Sequence, residues 1–256
     1  MTLTLPSSPS FRLDHRRALV TGAGTGIGLA AAVALADAGA EVTLCGRRLA
    51  PLAELAAAIV ARGGRADAVM LDVTDTAGVE RLIAERPPFQ VLVNNAGTNR
   101  PASAIDTSEE DYDAVMAVNA RAAFFLSRAV ARSLRAVGSP GSIITISSQL
   151  GQVGVQQRSV YCASKHAVEG WTKAMAWEFG ADNIRVNTVA PTFIATPMTQ
   201  TQLDDPSTRA SILARIALHR VGTPDDLMGA VVFLASDASS LVTGSALLVD
   251  GGWTAA

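Results

Sequence analysis

A glycine-rich turn between two apolar runs constrains this chain of 256 residues more than any other feature. The first run covers residues 17–21, the turn begins at Gly22, and an alanine-rich run follows from Leu29 to Gly39. These compositions predict a short strand and then a helix that stops at the glycine. With a second strand at 41–44, the segments form a βαβ unit. The unpaired N–H groups at the start of its helix suit a diphosphate, so we expect a dinucleotide-binding sheet.

The glycines that fit this turn are Gly22, Gly26 and Gly28, in a G-x-x-x-G-x-G arrangement. The common G-x-G-x-x-G spacing is not present. A lone glycine-rich turn is weak support for nucleotide binding, but its place between a strand and a helix strengthens the interpretation.

Strand candidates recur along the chain and alternate with helical stretches. This alternation predicts a single-domain, Rossmann-type α/β fold: a doubly wound parallel sheet of seven strands with helices on both faces. We expect a loose N-terminal segment at 1–11 and one domain over 12–256, since no repeat or interdomain linker is present. The predicted strands are 17–21, 41–44, 66–71, 90–94, 142–147, 185–189 and 246–249.

A second feature is a serine, a tyrosine and a lysine at fixed intervals. Ser148 precedes Tyr161 by thirteen residues, and Lys165 follows the tyrosine by four. If Tyr161 begins a helix, it shares a face with Lys165, whose ammonium would favour the phenolate and lower the pKa of the tyrosine. A serine at a strand end could donate a hydrogen bond to a carbonyl oxygen. Such a Tyr–Lys pair also occurs by chance on solvated helices, so the second signal at the glycine turn matters.

The motifs together resemble the short-chain dehydrogenase/reductase family. They are Thr21-Gly-x-x-x-Gly-x-Gly, Asn94-Asn-Ala-Gly97 and Tyr161-x-x-x-Lys165, and the likeness covers roughly residues 12 to 253. The branch it looks most like contains 3-oxoacyl reductases and sugar dehydrogenases. This resemblance implies direct hydride transfer between a nicotinamide and a carbonyl carbon, with no metal.

The resemblance also implies roles for individual residues. Ser148 would polarise the substrate carbonyl, Tyr161 would exchange a proton with its oxygen, and Lys165 would lower the pKa of the tyrosine and hold the nicotinamide ribose. Asn119 matches the family asparagine that anchors a water in a proton relay; a buried asparagine that only satisfies main-chain groups is the alternative. Asn94 would brace the central strand.

Cofactor contacts follow from the same resemblance. Thr192 stands where the family commonly has glycine, and Asp72 could equally be a structural turn acid. The predicted cofactor-binding residues are Gly22, Thr25, Gly26, Ile27, Gly28, Arg47, Arg48, Asp72, Val73, Asn95, Ala96, Gly97, Tyr161, Lys165, Pro191, Ile194 and Thr196.

The end of the second strand bears on the choice of nicotinamide. An acid there usually receives the ribose 2′-hydroxyl of NAD. Here Gly46 takes that position and is followed by Arg47 and Arg48. A glycine leaves room for a 2′-phosphate and an arginine can clamp it, so we favour NADP(H). Solvated arginines and use of NAD(H) as well are the alternative.

Composition and charge indicate which kinds of partner and compartment to expect. The formal charge is −2 with no block of like charges, which argues against nucleic-acid binding. No apolar run approaches the roughly 20 residues of a membrane span, and residues 1–10 lack the features of a signal peptide. Cys45 and Cys162 are the only cysteines, which suits the cytoplasm. The C-terminal segment resembles a family region that packs between subunits, which implies a homotetramer.

The substrate is weakly indicated. Gln149 and Arg158 are candidate substrate contacts in a polar loop, and the polar segment around 192–218 is a candidate lid. We expect an NADP-dependent oxidoreductase that interconverts a secondary alcohol and a ketone. The alternatives are an NAD-linked sugar or polyol dehydrogenase of the same fold, and a nucleotide-binding regulator without catalysis.

Overall fold

The computed structural model of the chain describes residues 5–255. Of the loose segment predicted for 1–11, residues 1–4 lie outside the described residues. Residues 5–11 are exposed and belong to no helix or strand.

Seven parallel strands form one sheet in the order β3-β2-β1-β4-β5-β6-β7. Every predicted strand is present, and its ends move by at most two residues. The predicted fold class is therefore confirmed. The strands are β1 (Arg17–Thr21), β2 (Glu41–Gly46), β3 (Arg65–Met70), β4 (Val91–Asn94), β5 (Gly141–Ile146), β6 (Ile184–Pro191) and β7 (Ala246–Val249).

Helices connect the strands and cover both faces of the sheet. They are α1 (Gly26–Asp37), α2 (Leu49–Ala61), α3 (Thr76–Ala84), α4 (Glu109–Met116), α5 (Ala123–Ala136), α6 (Ser159–Phe179), α7 (Gln200–Asp204), α8 (Pro206–Leu213) and α9 (Asp225–Ala235). A π-helical segment, Ala117–Ala122, joins α4 to α5. Helices α1, α2 and α9 pack on one face, and α3, α5 and α6 pack on the other.

The side chains of β1 show why two layers form. Ala18 and Val20 belong to the core beneath α1 and α9, whereas Leu19 belongs to the core on the opposite face. Successive side chains of a strand point to opposite faces, so a strand buried on both sides is apolar throughout. The strand order reverses between β1 and β4, which opens a crevice at their carboxyl ends.

One helical stretch bears on the expectation that no segment spans a membrane. The continuous helical run Glu109–Ala136 has 28 residues and a hydropathy of 1.3, so it is long and apolar enough to cross a bilayer by length and composition. However, 56% of its most apolar window is buried inside the protein. Packing of α5 against α3, β4 and β5 accounts for that apolar character.

The predicted lid contains two short helices, α7 and α8. Leu203, Ile212 and Ile216 form a small apolar cluster against Phe193 and Trp253. This cluster is separate from the two cores that cover the sheet, so the segment packs as a unit of its own beside the crevice.

Candidate active site

The glycine turn after β1 is shaped by backbone conformation and by lack of space. Gly22 and Gly26 have φ of 64° and 57°, values that favour glycine. A Cβ on Gly28 would lie 2.4 Å from the Gly22 carbonyl oxygen and from Asn95 Nδ2. The Asn95 amide donates to the carbonyls of Thr21 and Gly22, at 3.0 and 3.2 Å. The turn is therefore fixed from the neighbouring strand end.

The start of α1 faces this turn with its N–H groups. Thr25 is the N-cap residue, and its side chain makes no capping hydrogen bond. No acidic residue occupies the first turn of the helix. The first N–H groups of α1 and the positive end of the helix dipole are therefore suited to the diphosphate of a dinucleotide.

The end of β2 supplies positive charge. Arg47 and Arg48 are exposed, and Gly46 beside them lines the cleft without a side chain. Within residues 5–255, neither guanidinium forms a salt bridge. Asp72 accepts hydrogen bonds from the Thr74 N–H and hydroxyl, which lower the pKa of its carboxyl. Both the predicted cofactor contact and the turn-acid alternative fit this position.

Asn94 braces the middle of the sheet as the resemblance implied. Its buried amide donates to the Ser127 hydroxyl at 2.9 Å and to Thr145 and the Ala123 carbonyl at 3.4 Å. It thus ties β4 to β5 and to α5, and it holds the following Asn95 and Ala96 at the crevice.

Ser148, Tyr161 and Lys165 meet at the carboxyl ends of β5 and β6. Helix α6 begins at Ser159, so Tyr161 and Lys165 lie on one face of its first turns. Lys165 Nζ donates to the Ile146 carbonyl at 2.8 Å and lies 5.6 Å from the centroid of the Tyr161 ring. The predicted juxtaposition is therefore present, with the ammonium directed to the end of β5.

The expected lowering of the tyrosine pKa is not found in this structure. Burial raises the pKa of Tyr161 to about 12, and the nearby Ser148 hydroxyl acts against that rise. Burial also lowers the pKa of Lys165 to about 8, although Glu169 acts in the opposite direction. Desolvation is the largest cause for both groups, and the Lys165 ammonium donates to a main-chain carbonyl rather than to the phenol.

Asn119 lies in the π-helical segment, behind the crevice rather than on its wall. Its amide donates to the Thr98 carbonyl at 2.9 Å and to the Ser164 hydroxyl at 3.1 Å, and its oxygen accepts from the Thr98 N–H at 2.8 Å. Both amide protons are used, so the side chain links the loop after β4 to α6. The role of Asn119 in anchoring a water stays a prediction; π segments are frequent at functional sites.

A cleft of about 700 Å³ brings the predicted residues together. Ser148 and all predicted cofactor contacts except Gly28 line it, and Gly28 packs behind the turn. The lining residues that the sequence predicted are Gly22, Thr25, Gly26, Ile27, Arg47, Arg48, Asp72, Val73, Asn95, Ala96, Gly97, Ser148, Tyr161, Lys165, Pro191, Ile194 and Thr196.

Neither predicted substrate contact is among the residues that line this cleft. Gln149 is 2% exposed, and its side-chain oxygen accepts from the Ser148 hydroxyl at 2.8 Å. Arg158 donates to the Gln157 carbonyl, and burial is the main cause of the lowered pKa of its guanidinium. Their contact with a substrate stays a prediction.

Further residues line the cleft that were not predicted as contacts, and Arg100 and Thr192 are two polar residues among them. Arg100 follows Gly97 by three residues, and Thr192 follows Pro191. The Thr192 hydroxyl is buried without a hydrogen-bond partner among residues 5–255. Thr192 directly follows β6, and Arg100 lies on the loop that follows β4, so their places beyond two strand ends are the signal that could have identified them. Both add polar groups to the cleft.

The chain is similar in sequence to known proteins over nearly its whole length. A profile of the family described as enoyl-(acyl carrier protein) reductase matches residues 22–254. L-xylulose reductase of Bos taurus is 41% identical over 244 residues, which cover 95% of this chain and 98% of that protein.

Two solved structures superimpose closely on the chain. One, from Agrobacterium tumefaciens with bound NADP, has a TM-score of 0.92 and 43% identity, covering 96% of this chain and 99% of that one. The other is gluconate 5-dehydrogenase of Burkholderia cenocepacia in complex with NADP and tartrate, with a TM-score of 0.93, 38% identity and coverage of 96% and 98%.

Proposed function

Because this chain belongs to the short-chain dehydrogenase/reductase family, we propose that it is an NADP-dependent oxidoreductase that interconverts a secondary alcohol and a ketone. One observation carries the proposal. Ser148, Tyr161 and Lys165 line the same cleft as the glycine turn, so a proton donor can reach the oxygen, and a hydride carrier the carbon, of one substrate carbonyl. A bound NADPH supplies the hydride.

Proton transfer falls to Tyr161. In the reduction direction its hydroxyl gives a proton to the substrate oxygen while Ser148 donates a hydrogen bond to that oxygen. A pKa raised to about 12 keeps the phenol protonated at neutral pH, as an acid requires. The ammonium of Lys165, 5.6 Å from the ring, stabilises the phenolate that remains until solvent returns the proton.

The preference for NADP over NAD is supported by the end of β2. Gly46 places no carboxylate that would repel a 2′-phosphate, and Arg47 and Arg48 line the cleft beside it. Both solved relatives named above hold NADP. Use of NAD by a sugar or polyol dehydrogenase is the alternative, and a comparison of kcat/KM with NADPH and NADH decides between them.

We propose a hydroxylated ketose or sugar acid as the substrate. The relatives are named for xylulose and gluconate, and one of them was solved with tartrate. Arg100 supports the acidic member of this class because it lines the cleft on the loop after β4, where its guanidinium also pairs with Asp111 at 3.5 Å. A panel of ketoses, keto sugar acids and enoyl thioesters, followed by nicotinamide absorbance, tests the assignment.

We propose a homotetramer in the cytoplasm as the working form. Apolar side chains remain exposed on α5 and α6, including Phe124, which meets Trp171 edge to face at 6.2 Å, and Trp177, which is 90% exposed. Both cysteines are free thiols. Sedimentation equilibrium measures the first property, and cell fractionation measures the second.

The decisive experiment for catalysis is Tyr161→Phe. Loss of the proton donor should lower kcat about 10²- to 10⁴-fold, because general acid catalysis contributes that much. NADPH binding, measured by fluorescence titration, should persist. A variant with full turnover would contradict the mechanism, and a wild-type chain that binds NADPH but reduces no panel member would favour the nucleotide-binding regulator.

A further inference from the structure

The Ser148 hydroxyl is directed away from the substrate side by its neighbour. A serine hydroxyl has one proton and two lone pairs. Here the proton is donated to Gln149 Oε1 at 2.8 Å, and one lone pair accepts the Leu150 N–H at 3.1 Å. The proposed function requires the same proton to point at the substrate oxygen. With the amide oxygen facing Ser148, that proton is already engaged.

The main chain around Ser148 has little freedom to move the hydroxyl away from Gln149 and towards the substrate. Gln149 begins a short 3₁₀ turn, Gln149–Gly151, that packs against α6. A Cβ on Gly151 would already lie within 3.2 Å of Glu169, Ser147 and the Lys165 carbonyl. Ser148 is 6% exposed and Gln149 is 2% exposed, so solvent does not replace a lost partner at low cost.

The amide of Gln149 can reverse its role without moving the chain. Its oxygen accepts hydrogen bonds and its nitrogen donates them, and rotation of the terminal torsion by half a turn exchanges the two ends. With the nitrogen facing Ser148, the hydroxyl oxygen accepts from both Nε2 and the Leu150 N–H. Both lone pairs are then used, and the hydroxyl can act only as a donor.

We propose that Gln149 is a positioning residue that sets the direction of the Ser148 proton, and that its amide turns from oxygen-facing to nitrogen-facing when substrate binds. This inference rests on the proposed function, in which Ser148 donates to the substrate oxygen. The nitrogen-facing amide also affects Tyr161. Ser148 can then no longer accept a hydrogen bond from the Tyr161 hydroxyl, whose proton is left for the substrate oxygen.

Two substitutions of similar length separate this role from packing. In Gln149→Glu the ionised carboxylate can only accept, so it holds the Ser148 proton away from the substrate. In Gln149→Met the side chain forms no strong hydrogen bond, and Ser148 is free to rotate. We expect kcat for ketone reduction at pH 8 to fall about 10²-fold or more in the Glu variant, as for loss of an oxyanion donor. The Met variant should lose roughly tenfold or less.

The pH profile adds a readout that packing would not change. In the Gln149→Glu variant, the introduced carboxyl can donate to the Ser148 hydroxyl once it is protonated, so the ratio of variant to wild-type kcat should rise as the pH is lowered from 8 to 5. The ratio for the Met variant should stay flat. Equal losses in both variants at every pH, or a larger loss in the Met variant, would overturn the proposal.

A double-mutant cycle keeps the test decisive if the Glu variant fails to fold. In a Ser148→Ala background, Gln149→Met should have no further effect on kcat, because Gln149 acts through the hydroxyl. Additive losses would contradict the inference alone. Full activity of Ser148→Ala would instead contradict the role of Ser148 in the proposed function, so the two failures are distinguishable.

Discussion

The two ends of the cleft are built by opposite means. The cofactor end depends on missing side chains: Gly22 and Gly26 adopt positive φ, and Gly28 leaves no room for a Cβ. The catalytic end depends on buried polar side chains, with Ser148 and Lys165 each 6% exposed. The first end is constrained by space and the second by hydrogen bonds and charge.

This difference has an energetic consequence. Steric fit at the glycine turn serves binding and folding together, since the same close contacts hold β1 to β4. At the catalytic end, burial lowers the pKa of Lys165 from 10.5 to about 8. Such a change corresponds to about 3 kcal/mol of stability lost at neutral pH, so function and stability oppose each other there.

Replacement of Lys165 by methionine should give the largest effect. It should also show most clearly that activity and stability oppose each other at the catalytic end. We expect kcat to fall about 10²- to 10⁴-fold, since proton transfer loses its cation. Stability should hold or rise by up to about 2 kcal/mol. Removing the buried charge restores about 3 kcal/mol, and the Ile146 carbonyl, which loses its donor, costs about 1–3 kcal/mol. Thermal unfolding at pH 7 measures the second effect.

The pH dependence of stability in the wild type and the Lys165→Met variant tests whether burial of the Lys165 charge is costly. Between pH 8 and 10.5 the unfolded chain still holds a proton that folded Lys165 has lost, so wild-type stability rises with pH through this window. The Met variant lacks this contribution, and its advantage in Tm should shrink towards pH 10.5. A variant less stable than wild type by more than about 1 kcal/mol at pH 7 would show that the burial is not costly.

Gly28→Ala should lower binding and stability together. Its Cβ would lie 2.4 Å from Asn95 Nδ2 and the Gly22 carbonyl, and both belong to the packed turn. Overpacking of this kind costs about 1–3 kcal/mol, so we expect NADPH affinity to fall roughly tenfold to a hundredfold. Calorimetric titration and thermal unfolding measure the two losses.

Gly170→Ala is the matched control. Gly170 lies within α6, and nothing stands within 4 Å of the added Cβ. The change should stabilise the protein by about 0.4–1 kcal/mol and leave NADPH binding unaltered. If both alanine variants behaved alike, the glycine turn would not be constrained by space as described.

The fold and the cofactor end could be predicted from the sequence because their signals are local. An apolar run, a glycine at a fixed distance and a helix with a glycine stop are each contained in a few neighbouring residues. The switch between β1 and β4 then follows from the topology of such sheets. Even the departure at Gly46, with two arginines after it, is visible without coordinates.

The catalytic end could be predicted only in part. The spacing of Tyr161 and Lys165 predicted that they share one face of a helix. The direction of their pKa changes depends on burial, which the spacing does not reveal. The Ser148–Gln149 hydrogen bond likewise depends on side-chain torsions. Arg100 was missed because it lies beyond the motif that ends at Gly97, and only the fold shows that the loop still lines the cleft there.

Arg47→Ala should have the smallest effect. It should lower the preference for NADPH over NADH without changing the binding of NADH or the stability of the protein. Arg47 is exposed and lines the cleft. A charged hydrogen bond to a 2′-phosphate contributes about 1.5 kcal/mol at such a site, so kcat/KM for NADPH should fall roughly tenfold. The value for NADH and the Tm should not change. Arg62→Ala, at the far end of α2 and paired with Asp37 at 3.0 Å, should leave both efficiencies unchanged. If Arg47→Ala lowered both efficiencies equally, Arg47 would serve the diphosphate or the fold, and the cofactor end would depend on charge as much as on space.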